Sequence, residues 1–156
     1  MKHETQRFLS YRPSAKLVSV THMPDTSTKL MCRVSYALDF IHSKRDVYKL
    51  VSGWLVSDYQ YDQTSYVMPH YWVCDISSNS YFDTAPHPRN RVGNYDYLLD
   101  LDVFTQSIDP YYYPPFLSME KDGPLCAHST RTRVLLTSVD VAELYEILIR
   151  DIVKHY

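Results

Sequence analysis

The stretch Tyr66-Val67-Met68-Pro69-His70-Tyr71-Trp72-Val73-Cys74-Asp75-Ile76, followed by Ser77-Ser78-Asn79-Ser80 and Tyr81-Phe82-Asp83, decides how this chain is read. Its two apolar runs are rich in β-branched and aromatic residues, the composition of strands. The Ser/Asn cluster between them reads as a tight turn, so the runs pair as a hairpin. Pro69 marks an edge or a strand start. Upstream, Tyr48 to Ser57 is a further strand, joined to the hairpin by a polar, tyrosine-bearing loop from Asp58 to Ser65. Before it, Val34, Ala37, Leu38 and Ile41 fall at i, i+3, i+4 and i+7, the spacing of an amphipathic helix. Thr26, Ser27 or Thr28 supplies its cap, which places Cys32 in the first turn. Leu17 to Val20 fits a short strand, and the first ten residues are polar and expected to be loosely held.

Downstream, Tyr95 to Leu99 and Val103-Phe104 fit short helix or strand, and Pro110 to Pro115 is extended and proline-stiffened. Arg133 to Leu136 reads as one more strand. A helix follows from about Val139, with Val141, Leu144, Tyr145, Leu148, Ile149 and Ile152 as its apolar stripe and Glu146 with Arg150 on its wet side. Together these elements predict a single α+β domain over residues 1–156. It has a central, mostly antiparallel sheet, the Cys32 helix on one face and a C-terminal amphipathic helix elsewhere.

Composition narrows the function classes. The chain has 156 residues, 16 basic against 18 acidic, and a formal charge of −2. That balance argues against nucleic acid or a polybasic membrane anchor as partner. No apolar run approaches the ~20 residues that span a bilayer, and no secretory segment opens the sequence. The expectation is a soluble, cytoplasmic protein. Three well-separated cysteines, Cys32, Cys74 and Cys126, make neither a disulfide framework nor a zinc site. His70 and Cys74 are four apart, which on a strand separates them by about 13 Å. No metal or other cofactor is expected.

Cys32, His70 and Asp83 are a thiol nucleophile, a general base and an orienting carboxylate, each placed on a separate element. A helix N-terminus and a nearby imidazolium both promote the thiolate. A carboxylate on the neighbouring strand would hold the second imidazole N–H and fix the tautomer. Trp54, Tyr59, Tyr61 and Trp72 are candidate substrate-pocket residues. Cys74 and Cys126 read as small buried hydrophobes.

The order helix with leading Cys, strand, strand with His, strand with Asp resembles the core of the transglutaminase-like superfamily, which has the papain-like cysteine protease fold. Cys32-Arg33 with Ala37 resembles its nucleophile helix. Val51-Ser52-Gly53-Trp54 resembles its Val-x-Gly-aromatic strand. His70-Tyr71-Trp72-Val73 is similar to His-Ala-Trp-Val, and Tyr81-Phe82-Asp83-Thr84-Ala85-Pro86 to the aromatic–Asp-Pro-Thr segment. The gaps of 38 and 13 residues are similar to those of the arylamine N-acetyltransferase branch. The likeness covers residues 30–86. It departs at Thr84, where the family often has Pro, and at Lys29-Leu30-Met31, which lacks the upstream Gly. The resemblance implies cysteine-dependent acyl transfer on a peptide, protein or small-molecule amide or thioester, with hydrolysis favoured for so small a domain. The competing expectation is a catalytically inactive binding or structural protein on the same fold, with Tyr111, Tyr112 and Tyr113 as its partner surface.

Overall fold

The computed structural model describes residues 1–24, 33–86, 94–105, 116–129 and 133–153. In chain order these form α1 (His3–Tyr11), β1 (Lys16–Val18), β2 (Val20–His22), α2 (Arg33–Ile41), β3 (Tyr48–Ser57), β4 (Thr64–Asp75) and β5 (Ser80–Asp83). Then come β6 (Tyr95–Leu99), α3 (Asp102–Thr105), β7 (Phe116–Glu120), β8 (Leu125–His128), β9 (Arg133–Leu136) and α4 (Val141–Val153).

The hairpin forms where the sequence places it. Asp75 Oδ1 accepts the backbone N–H groups of Ser77 and Ser78, and Asn79 takes a positive φ of 55°, a conformation that Asn tolerates. β3 and β4 then pair antiparallel over their length, from Tyr48 opposite Asp75 to Val56 opposite Val67.

The expected α+β class is not what forms. The architecture is β-rich: among the described residues nine strands make one mostly antiparallel sheet, and the helices are short and peripheral to it. The reason lies in the pairing of β1 and β2, which are separated by Ser19 alone. β1 pairs antiparallel with β6, while β2 pairs parallel with β5. The path β1–β6–β3–β4–β5–β2 therefore returns to its start and closes a ring. A ring of five strands cannot alternate direction throughout, and the one parallel contact, β2 with β5, resolves that parity. Closure gives the sheet a buried inner face without a helix layer.

Side chains alternate across this wall. Val18, Val20, Val51, Leu55, Met68, Trp72, Cys74, Tyr81, Tyr97 and Leu99 share one inner cluster. Trp54, Val56, Val67 and Leu98 belong to an outer cluster with Phe8 of α1 and Leu144 and Ile147 of α4. α2 covers the outer face nearer the hairpin turn, with Ala37 and Ile41 against Val73, Leu50 and Phe82. Leu38, expected on the apolar stripe, is exposed.

The N-terminal residues are not loosely held. Phe8 is fully buried edge-on against Trp54. Glu4 Oε1 accepts the Tyr59 N–H at 2.9 Å, and Arg7 donates to the carbonyls of Glu120 and Gly123 in the β7–β8 turn. Polar side chains anchor α1 here, so a polar composition does not mean a free segment. β7 and β8, which no sequence signal marked, extend the sheet from the first half of β4, and β9 ends it. Among the described residues no helix is long and apolar enough to cross a membrane.

Candidate functional site

β4 carries two different neighbours along one edge. Thr64 to Val67 pair with β7, and Val73 to Asp75 pair with β5. Between them, residues 68–72 have a ladder partner on the β3 side alone among the described residues. Pro69, which has no N–H to donate, falls within this interval. His70 therefore lies in the interior of a long strand, just beyond the end of β5, at a fork in the sheet.

Parity points His70 inward. It faces Gly53 across the β3–β4 ladder, and its ring lies 6.3 Å from that of Trp72, nearly parallel to it. An added Cβ on Gly53 would lie 1.9 Å from the Leu98 carbonyl oxygen and 2.6 Å from Trp72 Cη2. Here the glycine supplies space rather than unusual backbone freedom: it lets the Trp72 ring lie across β3.

His70 Nε2 donates to Asp83 Oδ2 at 2.7 Å, and both side chains are almost wholly buried, at 2% and 1% exposure. Tyr97, on β6, donates its hydroxyl to the same oxygen at 2.7 Å. Asp83 Oδ1 accepts the Ala85 N–H at 3.0 Å. Burial pushes the Asp83 carboxyl up, but the neighbouring imidazole and these three donors outweigh it and hold the group below its ordinary value. Asp83 is thus an anion at neutral pH, and an anion can only accept. The nitrogen facing it, Nε2, therefore carries a proton. His70 Nδ1 is buried and has no hydrogen-bond partner among the described residues; the same holds for Trp72 Nε1 and Thr84 Oγ1.

The structure brings His70, Asp83 and Trp72 together and separates the other expected pocket residues from them. Trp54 points to the outer face, where its Nε1 donates to Asp100 Oδ2 at 2.8 Å. Tyr59 lies beside α1, with its ring 6.3 Å from that of His3. Tyr61 is fully exposed on the β3–β4 loop. Cys32, the Thr26–Thr28 cap and Tyr111–Tyr113 lie outside the described residues. Cys74 and Cys126 are free and buried. Tyr97 escaped the sequence reading because its place beside Asp83 depends on ring closure, which no local pattern announces.

A second buried charge lies on the outer face. Arg12 Nε and an Arg12 terminal nitrogen donate to the two oxygens of Asp100 at 2.7 and 3.1 Å, and the Trp54 indole and the Asp102 N–H donate to them as well. This cluster ties the end of α1 to β3 and β6. Among the described residues, no group of three His, Cys, Asp or Glu side chains is arranged to hold a metal ion.

No family model, curated protein or solved structure matches the chain.

Proposed function

We propose that this protein is a cysteine-dependent hydrolase or acyltransferase of the transglutaminase-like kind, acting on an amide or thioester in the cytoplasm. Cys32 is the nucleophile, His70 Nδ1 takes its proton and later returns it to the leaving group, and Asp83 holds the imidazole through Nε2. The attacking thiolate forms a thioester, and water or an amine resolves it. The observation that supports this reading is the state of His70. One ring nitrogen is bound to an ionised carboxylate, and the other is open and shielded from water.

A different observation favours the second reading, a binding or structural protein. α2, which begins at Arg33 immediately after Cys32, packs on the outer face of the ring, whereas His70 projects inward. Under that reading the Asp–His–Tyr network is a polar plug of the barrel.

Thiol labelling separates the two. A free thiol with a pKa of about 8.5 is roughly 3% thiolate at pH 7. Pairing with His70 raises that fraction, so iodoacetamide should label Cys32 about tenfold faster in the wild type than in His70→Ala. Peptide mass spectrometry locates the label, and the buried Cys74 and Cys126 serve as internal controls. Equal rates in the two proteins would remove the catalytic reading.

A further inference from the structure

We propose that Tyr97 is a positioning residue for His70: by donating to the Asp83 oxygen that also accepts the His70 Nε2–H, it keeps the imidazole proton on Nε2 and leaves Nδ1 open. This inference rests on reading His70 as the base. Its structural content can be tested apart from that reading.

The geometry is specific. Asp83 ends β5 and Tyr97 lies within β6, so two ring strands that are not neighbours meet through one carboxylate. Both bonds to Oδ2 are 2.7 Å, the length of charge-assisted contacts. With Oδ1 held by the Ala85 N–H, the carboxylate cannot rotate without breaking three bonds. A carboxylate free to rotate would let Nε2–H open to solvent and the proton redistribute between the ring nitrogens. Other titratable groups lie near this network: Tyr81, Cys74 and Tyr95 in the inner cluster, and the exposed His22 opposite Asp83 on β2, whose Nε2 lies 2.7 Å from the Ala85 carbonyl. His22 thus contacts the backbone just past the end of β5.

Nitrogen-15 spectra of the imidazoles test the inference. In the wild type His70 is expected as the Nε2–H tautomer, with a slowly exchanging, downfield Nε2 proton. Tyr97→Phe removes one donor from Oδ2. Exchange of that proton should then rise about tenfold, the factor carried by ~1.4 kcal/mol of hydrogen-bond energy, with an admixture of the Nδ1–H form. Tyr81→Phe, which removes another barrel hydroxyl, should leave the signal unchanged. An unchanged His70 signal in Tyr97→Phe, or an Nδ1–H tautomer in the wild type, would overturn the inference. Should Tyr97→Phe fail to fold, the wild type still decides. A Tyr97 hydroxyl proton in close contact with the His70 Nε2 proton is required, because both point at one oxygen, and its absence would overturn the inference. Labelling of Cys32 in Tyr97→Phe is a separate readout. It falls with the His70 signal if His70 is the base, whereas the spectra alone decide the role of Tyr97 if Cys32 proves inert.

Discussion

Gly53→Ala is the substitution that most directly probes how the site is shaped. The added Cβ would lie 1.9 Å from the Leu98 carbonyl oxygen, against a practical minimum of 3.0 Å, so β6 or β3 must yield by more than an ångström. Backbone hydrogen bonds near 2.9 Å do not survive that displacement. Two lost ladder bonds cost about 1–3 kcal/mol in all. Trp72, whose Cη2 would be 2.6 Å away, must repack as well, which costs about 1–3 kcal/mol. The smaller entropy of the unfolded alanine chain returns about 0.4–1 kcal/mol. A net loss of about 3–4 kcal/mol is expected, a large part of the ~5–15 kcal/mol that keeps a domain folded. Urea unfolding followed by tryptophan fluorescence measures it. Tyr61→Ala, at a fully exposed loop position, is the control and should cost under about 1 kcal/mol. A Gly53→Ala protein within about 1 kcal/mol of wild type would refute the placement of Trp72 across β3, and with it the packing behind His70.

Asp100→Ala leaves the Trp54 indole N–H without its acceptor and Arg12 with only Asp102 and the Val139 carbonyl, and a loss of about 2–4 kcal/mol is expected by chemical denaturation; a loss under about 1 kcal/mol would show that α1 is not tied down through this cluster. Asp83 and Asp100 are both held below the ordinary carboxylate value, despite burial, by their donors. Their stabilisation is complete above the unfolded value of about 4 and is lost as pH falls through the lower folded values. Tyr97 is displaced the other way, first by burial and then by the Asp83 charge, so its contribution fades as pH rises past about 10. Urea midpoints should drop on both limbs, and Asp83→Asn should flatten the acid limb; an acid limb identical to wild type would contradict the assignment.

The parts legible in the sequence are those with local causes. β3 and β4 follow from their β-branched and aromatic runs, the β4–β5 turn from the Ser77-Ser78-Asn79-Ser80 cluster, and α4 from its apolar stripe. The pairing of His70 with Asp83 follows from two positions on either side of that turn. What stayed hidden depends on register and closure. Trp54 and Gly53 are adjacent, yet only register decides that Gly53 faces His70 while Trp54 faces α1. β1 and β2 have three residues each and are largely exposed along their length, so nothing in Leu17 to Val20 marks them as the segment that closes the ring. Closure in turn explains why helices do not form a layer over the inner face.

The two functional readings differ in how they account for the unpaired atoms. A buried network kept only for structure is expected to satisfy its members, since each buried polar atom left without a partner costs about 1–3 kcal/mol. Asp83 is well served, with donors from His70, Tyr97 and Ala85. His70 Nδ1 and Trp72 Nε1, on the same inner face, have no partner among the described residues. A structural plug gives no return for leaving them open, whereas a base must keep one nitrogen free for the proton it will accept. The outer position of α2 constrains the catalytic reading without excluding it. His70 lies past the last residue of β5, where, among the described residues, β4 is paired on the β3 side alone. The catalytic reading therefore requires Cys32 to reach the fork between β5 and β7.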